Sequence, residues 1–124
     1  MNGKNSIENN QRIWDRDYKW PDDGDEWNGQ ASFCGQPYEV WKAALVGEFL
    51  TPRLRPDATL LEIGPGHGRW SRFIAGRCRK LYLADLSTTC LEHCRGLFGD
   101  EGMAYIATDG HSLKQVPDAV VDYM

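Results

Sequence analysis

With 124 residues, 41% of them hydrophobic and 26% charged, the chain has the composition of one ordinary globular domain. Its net charge of −4 argues against a protein built mainly to hold nucleic acid. No apolar run approaches the ~20 residues a bilayer requires, and the polar start Met1-Asn2-Gly3-Lys4-Asn5 lacks the core of an export signal. Four cysteines at 34, 78, 90 and 94 form no CxxC pair, so reduced, partly buried thiols and a cytoplasmic location are expected.

Residues 1–36 read as a cap segment, acidic (Asp22, Asp23, Asp25, Glu26) and aromatic (Trp14, Tyr18, Trp20, Trp27, Phe33). Pro21, Gly24, Gly29 and Gly35 punctuate it, which predicts no long regular element. Its aromatics predict packing onto the domain from about residue 12 onward, with the first ten or so loose. Residues 37–124 read as the main domain. Pro37 suits a first helical turn, and Tyr38, Trp41, Leu45 and Phe49 form an apolar stripe at helical spacing, ended by Pro52 and Pro56. Ala58 to Ile63 is a short apolar run that stops at glycine, a buried strand. Trp70, Phe73 and Ile74 then predict a helix, and Leu81 to Asp85 a second strand. Thr88 to Phe98 reads as a helix with Leu91, Cys94 and Phe98 on one face. Met103 to Ala107 reads as a third strand, and residues 119–124 as the opening of a fourth. Strands alternating with helices predict an α/β fold with a parallel sheet covered on both faces, whose ligands bind at the carboxyl ends of the strands.

Three motifs fall at those ends. Glu62-x-Gly64-x-Gly66-x-Gly68 lies between a strand and a helix, where glycines let backbone approach a ligand and amides converge beside a helix N-terminus. The alternative is an ordinary glycine turn. A dinucleotide fingerprint would place its third glycine at 69, and position 69 is Arg. Asp85, closing the second strand, suits a ribose diol, which a carboxylate pairs with directionally; the alternative is an acid at a helix N-terminus. Thr108-Asp109-Gly110 follows the third strand in the same register, or is a simple Asp-Gly turn.

Leu61-Glu62-Ile63-Gly64-Pro65-Gly66-His67-Gly68 resembles motif I of the class I, Rossmann-like S-adenosylmethionine-dependent methyltransferases. The resemblance implies a doubly wound parallel sheet, of which this chain spans strands one to three and the start of strand four. It implies S-adenosylmethionine as cofactor, held by Glu62, Gly64, Pro65, Gly66 and Gly68, with Asp85 on the ribose and Leu86 against the adenine. It further implies that Asp109 and Gly110 meet the adenine end. The stretch Trp20 to Gln30, with Pro37-Tyr38-x-x-Trp41-Lys42, resembles methyltransferases of sugar or natural-product O-methylation, in which such a segment folds over the cofactor; the alternative is an aromatic surface segment. The expected acceptor is thus a small molecule, methylated at oxygen, with no nucleic-acid or membrane partner. The resemblance covers the first half of a typical member, so the catalytic base and most acceptor contacts are expected outside these residues. Two other classes stay open: a non-catalytic cofactor-binding fragment and a NAD-dependent oxidoreductase.

Smaller features carry less. Arg69, Arg72, Arg77, Arg79 and Lys80 form a basic stripe, either steering an anionic substrate or solvating a helix face. Cys90, His93 and Cys94 share a helix, but no second ligand pair makes a closed metal site, and none is expected. His67 and His111 lie near the motifs without a partner to make either a general base.

Overall fold

The apolar runs form strands because a chain buried on both faces favours continuous Leu, Ile, Ala and Val rather than alternation. In the computed structural model, which describes residues 5–27 and 35–124, these are β1 (Thr59–Ile63), β2 (Lys80–Asp85) and β3 (Met103–Ala107). β2 lies between the other two, parallel to both, with Leu61 opposite Tyr82 and Leu83 opposite Tyr105. The predicted fourth strand is present as a single parallel bridge from Tyr123 to Leu60, on the far edge of β1. There the Leu61 amide donates to the Tyr123 carbonyl at 3.0 Å, and the Thr59 amide donates to Asp122 Oδ2 at 2.7 Å.

Among the described residues, four α-helices accompany the sheet: α1 (Ile7–Arg12), α2 (Tyr38–Leu45), α3 (Ser71–Ile74) and α4 (Thr88–Phe98). α4 starts where its sequence asks it to, since Ser87 Oγ accepts from the Cys90 amide at 3.0 Å. One face of the sheet packs Leu60, Leu81, Leu83 and Met103 against Ile74, Leu91 and Cys94 of α3 and α4. The opposite face packs Leu61, Ala84 and Ile106 against Leu113, Val116 and Val121 of the segment after β3. The fold is therefore α/β, a Rossmann-like parallel sheet.

Three expectations change. Of the first ten residues, Ser6 to Asn10 are ordered rather than loose: Ser6 caps α1, and the chain continues through a wider, π-type turn over Ile13–Asp17. The stripe of α2 is only partly buried. Tyr38 is inside, whereas Phe49, in the wider turn Val46–Leu50 that extends the helix, is 59% exposed and borders a cleft. The helix after the glycines is a single turn, Ser71–Ile74. Phe33, Cys34, Gly29 and the end of the Trp20–Gln30 stretch lie outside the described residues. Cys78, Cys90 and Cys94 are free thiols, and burial pushes the last two up to about 11 and about 12.

Candidate functional site

The carboxyl ends of the three strands converge on one cleft of about 550 Å³. β1 contributes Ile63 and Gly64, β2 contributes Ala84, Asp85 and Leu86, and the turn after β3 contributes Thr108 and residues 110–113. Sheet register explains the meeting, because Ile63 lies opposite Ala84 and Asp85 opposite Ala107. All three motifs thus reach a single crevice, Gly64 from the first, Asp85 from the second, and Thr108 and Gly110 from the third.

Asp85 is 8% exposed, and each of its oxygens is braced by an amide: Ser87 N donates to Oδ1 at 2.9 Å and Gly66 N to Oδ2 at 3.2 Å. Burial raises its pKa and nearby Asp15 adds to the rise, against the lowering by those amide bonds. Each oxygen has two acceptor positions, so the bracing still leaves acceptor capacity for a ligand's hydroxyls. Gly64 opens onto the cleft with nothing within 4 Å of where a Cβ would stand. Gly66, at φ +55°, cannot carry a side chain, because a Cβ there would run into the ring of Trp20. Gly68 lies beneath Phe98 of α4, and its amide donates to the buried Pro65 carbonyl at 2.9 Å. This cradle fits a nucleoside-bearing cofactor: open backbone at Gly64, an apolar wall at Leu86 and a fixed carboxylate between them.

Glu62 stands at the loop's start, on the other face of β1. Ser71 Oγ donates to its Oε2 at 2.6 Å. Burial lifts its pKa from 4.5 to about 7, against the lowering by Ser71 and by Arg69. Glu62 borders a second, apolar cleft of about 710 Å³, shaped by Trp27, Leu45, Phe49, Trp70 and Tyr123. Ile63 borders both clefts.

Gly110 lines the first cleft, but Asp109 does not. Its carboxylate is exposed, and Oδ1 accepts from the His111 and Ser112 amides at 2.8 and 2.9 Å, which lowers its pKa. The Asp-Gly pair makes the turn that its composition suits.

The basic stripe is spent internally. Arg72 Nη2 donates to the Asp23 carbonyl, Arg79 to Thr59 Oγ1 at 3.0 Å, Lys80 to the Met103 carbonyl at 2.9 Å and Arg77 to the Phe73 carbonyl at 3.4 Å. Arg69 pairs with Glu26 at 3.3 Å and lies 3.6 Å over the Trp27 ring. Four of the five bond neutral acceptors and keep their charge, while Arg69 is paired with an acid. His67 is enclosed in a ring stack, 4.2 Å from Trp20 and 3.7 Å from His93. Burial first, and then His93, lowers its pKa to about 4.

The residues missed in the sequence belong to the cap segment. Ile7 and Leu86 both reach the site of a Gly110 Cβ, Gln11 Nε2 donates to the Leu86 carbonyl at 3.3 Å, and Trp14 lines the cleft. Ser87 Oγ donates to Asp15 Oδ1 at 2.5 Å. A signal was present: Ser6 as a cap, then Ile7, Gln11 and Trp14 at helical spacing.

No curated protein and no solved structure matches the chain. Residues 61–124, slightly more than half of it, match the family described as a methyltransferase domain. This match begins inside β1, three residues before Gly64 of the glycine cradle, and takes in Asp85 and the turn after β3. With its parallel sheet and its glycine cradle, the chain belongs to the class I S-adenosylmethionine-dependent methyltransferase family.

Proposed function

We propose that the cleft at the ends of β1, β2 and β3 is the donor site for S-adenosylmethionine, and that the enzyme methylates a small-molecule acceptor at oxygen. The observation that carries this reading is Asp85, a buried carboxylate braced by two amides in the same cleft as Gly64 and Leu86. Asp85 accepts from the ribose hydroxyls, Leu86 gives the adenine an apolar wall, and Gly64 lets the backbone come close, while Pro65, Gly66 and Gly68 shape the loop behind it, Gly66 and Gly68 by making room for Trp20 and Phe98. Gly110 closes the adenine end, while Asp109 shapes that wall by holding the turn. Glu62 takes the cationic amino end of the cofactor, where a positive charge favours its ionised form.

When bound, the cofactor supplies an activated methyl group on sulfur. The chain's own residues bind and orient it, and orientation is the larger part of catalysis in such a displacement. The apolar cleft beside Glu62 and Ile63 supports an acceptor with an apolar body, such as a natural product or a sugar bearing one. The net charge of −4 supports a small molecule over a nucleic acid. No residue of this chain is assigned as the base that takes the acceptor's proton. Calorimetric titration of the chain with S-adenosylmethionine and, separately, with NADH tests the reading. Saturable binding of the first alone is expected; binding of NADH in its place overturns it.

A further inference from the structure

The cleft has walls and a floor from the strand ends, and its roof comes from elsewhere. Among the described residues, Trp14 is the one lining it that precedes the matched span of residues 61–124. It is 38% exposed, as a ring that borders an open cleft has to be. The chain around it is fastened on both sides to the rim. Ile7 reaches the site of a Gly110 Cβ, Gln11 bonds the Leu86 carbonyl, Ser87 Oγ bonds Asp15, and Cys90 Sγ lies 3.9 Å from the Trp14 carbonyl. Two further rings steady the indole: Tyr18 at 5.1 Å between centroids and Trp20 at 5.8 Å, both tilted. A tryptophan held this way puts a steadied aromatic ring on the same cleft as Leu86. His111 also lines the cleft, on the exposed turn after β3.

We infer that Trp14 is the stacking face for the purine of the cofactor, so that the donor site is completed by the cap segment before the methyltransferase domain. The inference rests on the donor-site reading above and deepens it by naming a binding residue outside the family's matched span. Base–aromatic stacking has a magnitude that is easily measured, about tenfold in affinity or more for removal of the ring. Phenylalanine keeps a π-face of similar kind and retains most of that affinity.

The test compares wild type, Trp14→Ala and Trp14→Phe in calorimetric titration with S-adenosylhomocysteine, alongside tryptophan emission during the same titration. Trp14→Ala is expected to weaken binding about tenfold or more and Trp14→Phe by about threefold or less. The emission change that accompanies binding in wild type is expected to shrink in Trp14→Phe although that variant still binds. A purely structural role does not predict that split. Wild-type affinity in Trp14→Ala, or an undiminished emission change in Trp14→Phe, overturns the inference and leaves the donor site standing. Should Trp14→Ala fail to fold, the Trp14→Phe emission result decides alone. Absence of binding in wild type itself overturns the donor-site reading and the inference with it.

Discussion

A buried carboxylate held by two backbone amides is set up to receive hydroxyl donors, and Asp85 is such a group. Replacing it with alanine removes the acceptor and is expected to weaken S-adenosylmethionine binding by about 1–3 kcal/mol, read by calorimetry. Glu62 has a different signature. Its pKa in the folded protein, about 7, is above the 4.5 of an unburied glutamate, so the folded state holds its proton more tightly than the unfolded state. This group's contribution to stability is therefore fully present below the unfolded value, falls as pH rises from 4.5 to about 7, and is flat above that. Urea midpoints across that range should show the fall in wild type and a smaller one in Glu62→Gln. An identical pH profile in the variant would locate the effect elsewhere. Gly66 tests the cradle sterically, because a side chain there meets Trp20 and needs φ +55°. Gly66→Ala is expected to cost at least about 1 kcal/mol from backbone strain alone, seen in chemical denaturation.

Between elements, the cap segment is tied to α2 by one buried acid. Asp25 is 2% exposed and accepts from Tyr38 Oη at 2.5 Å and Lys42 Nζ at 2.7 Å. Burial alone would raise its pKa, yet the bonds from Lys42, Tyr38 and the Trp27 amide bring it below the ordinary value. Asp25→Ala leaves Lys42 buried without that partner and is expected to destabilise the protein by about 3 kcal/mol, measured by urea unfolding. Little loss of stability would mean that the cap segment is held by its rings instead. The strands were legible in the sequence because apolar runs ending at glycine or acid have few other solutions. The cap helix was not, since Pro21 and the glycines around it masked the spacing of Ile7, Gln11 and Trp14. Asp109 shows the limit of a motif: an acid followed by glycine after a strand fits a ligand contact and a turn equally well, and only the two amides on Oδ1 separate them. The basic stripe shows the same limit for charge, because its acceptors are mostly backbone carbonyls that no sequence pattern marks.

At the scale of the whole molecule, strand order decides where chemistry gathers. With β2 central and Tyr123 on the far edge of β1, the sheet reverses direction of growth at β1, and the glycine cradle opens beside that reversal. Both clefts meet at Ile63, one with the braced carboxylate of Asp85 and one apolar. The most direct test of the account is a crystal structure of the chain with S-adenosylhomocysteine. The account predicts the ribose hydroxyls on Asp85 and the adenine beside Leu86 and Gly110. A nucleoside lodged instead in the apolar cleft of Leu60, Trp70 and Tyr123, or binding that leaves Asp85 untouched, would contradict it.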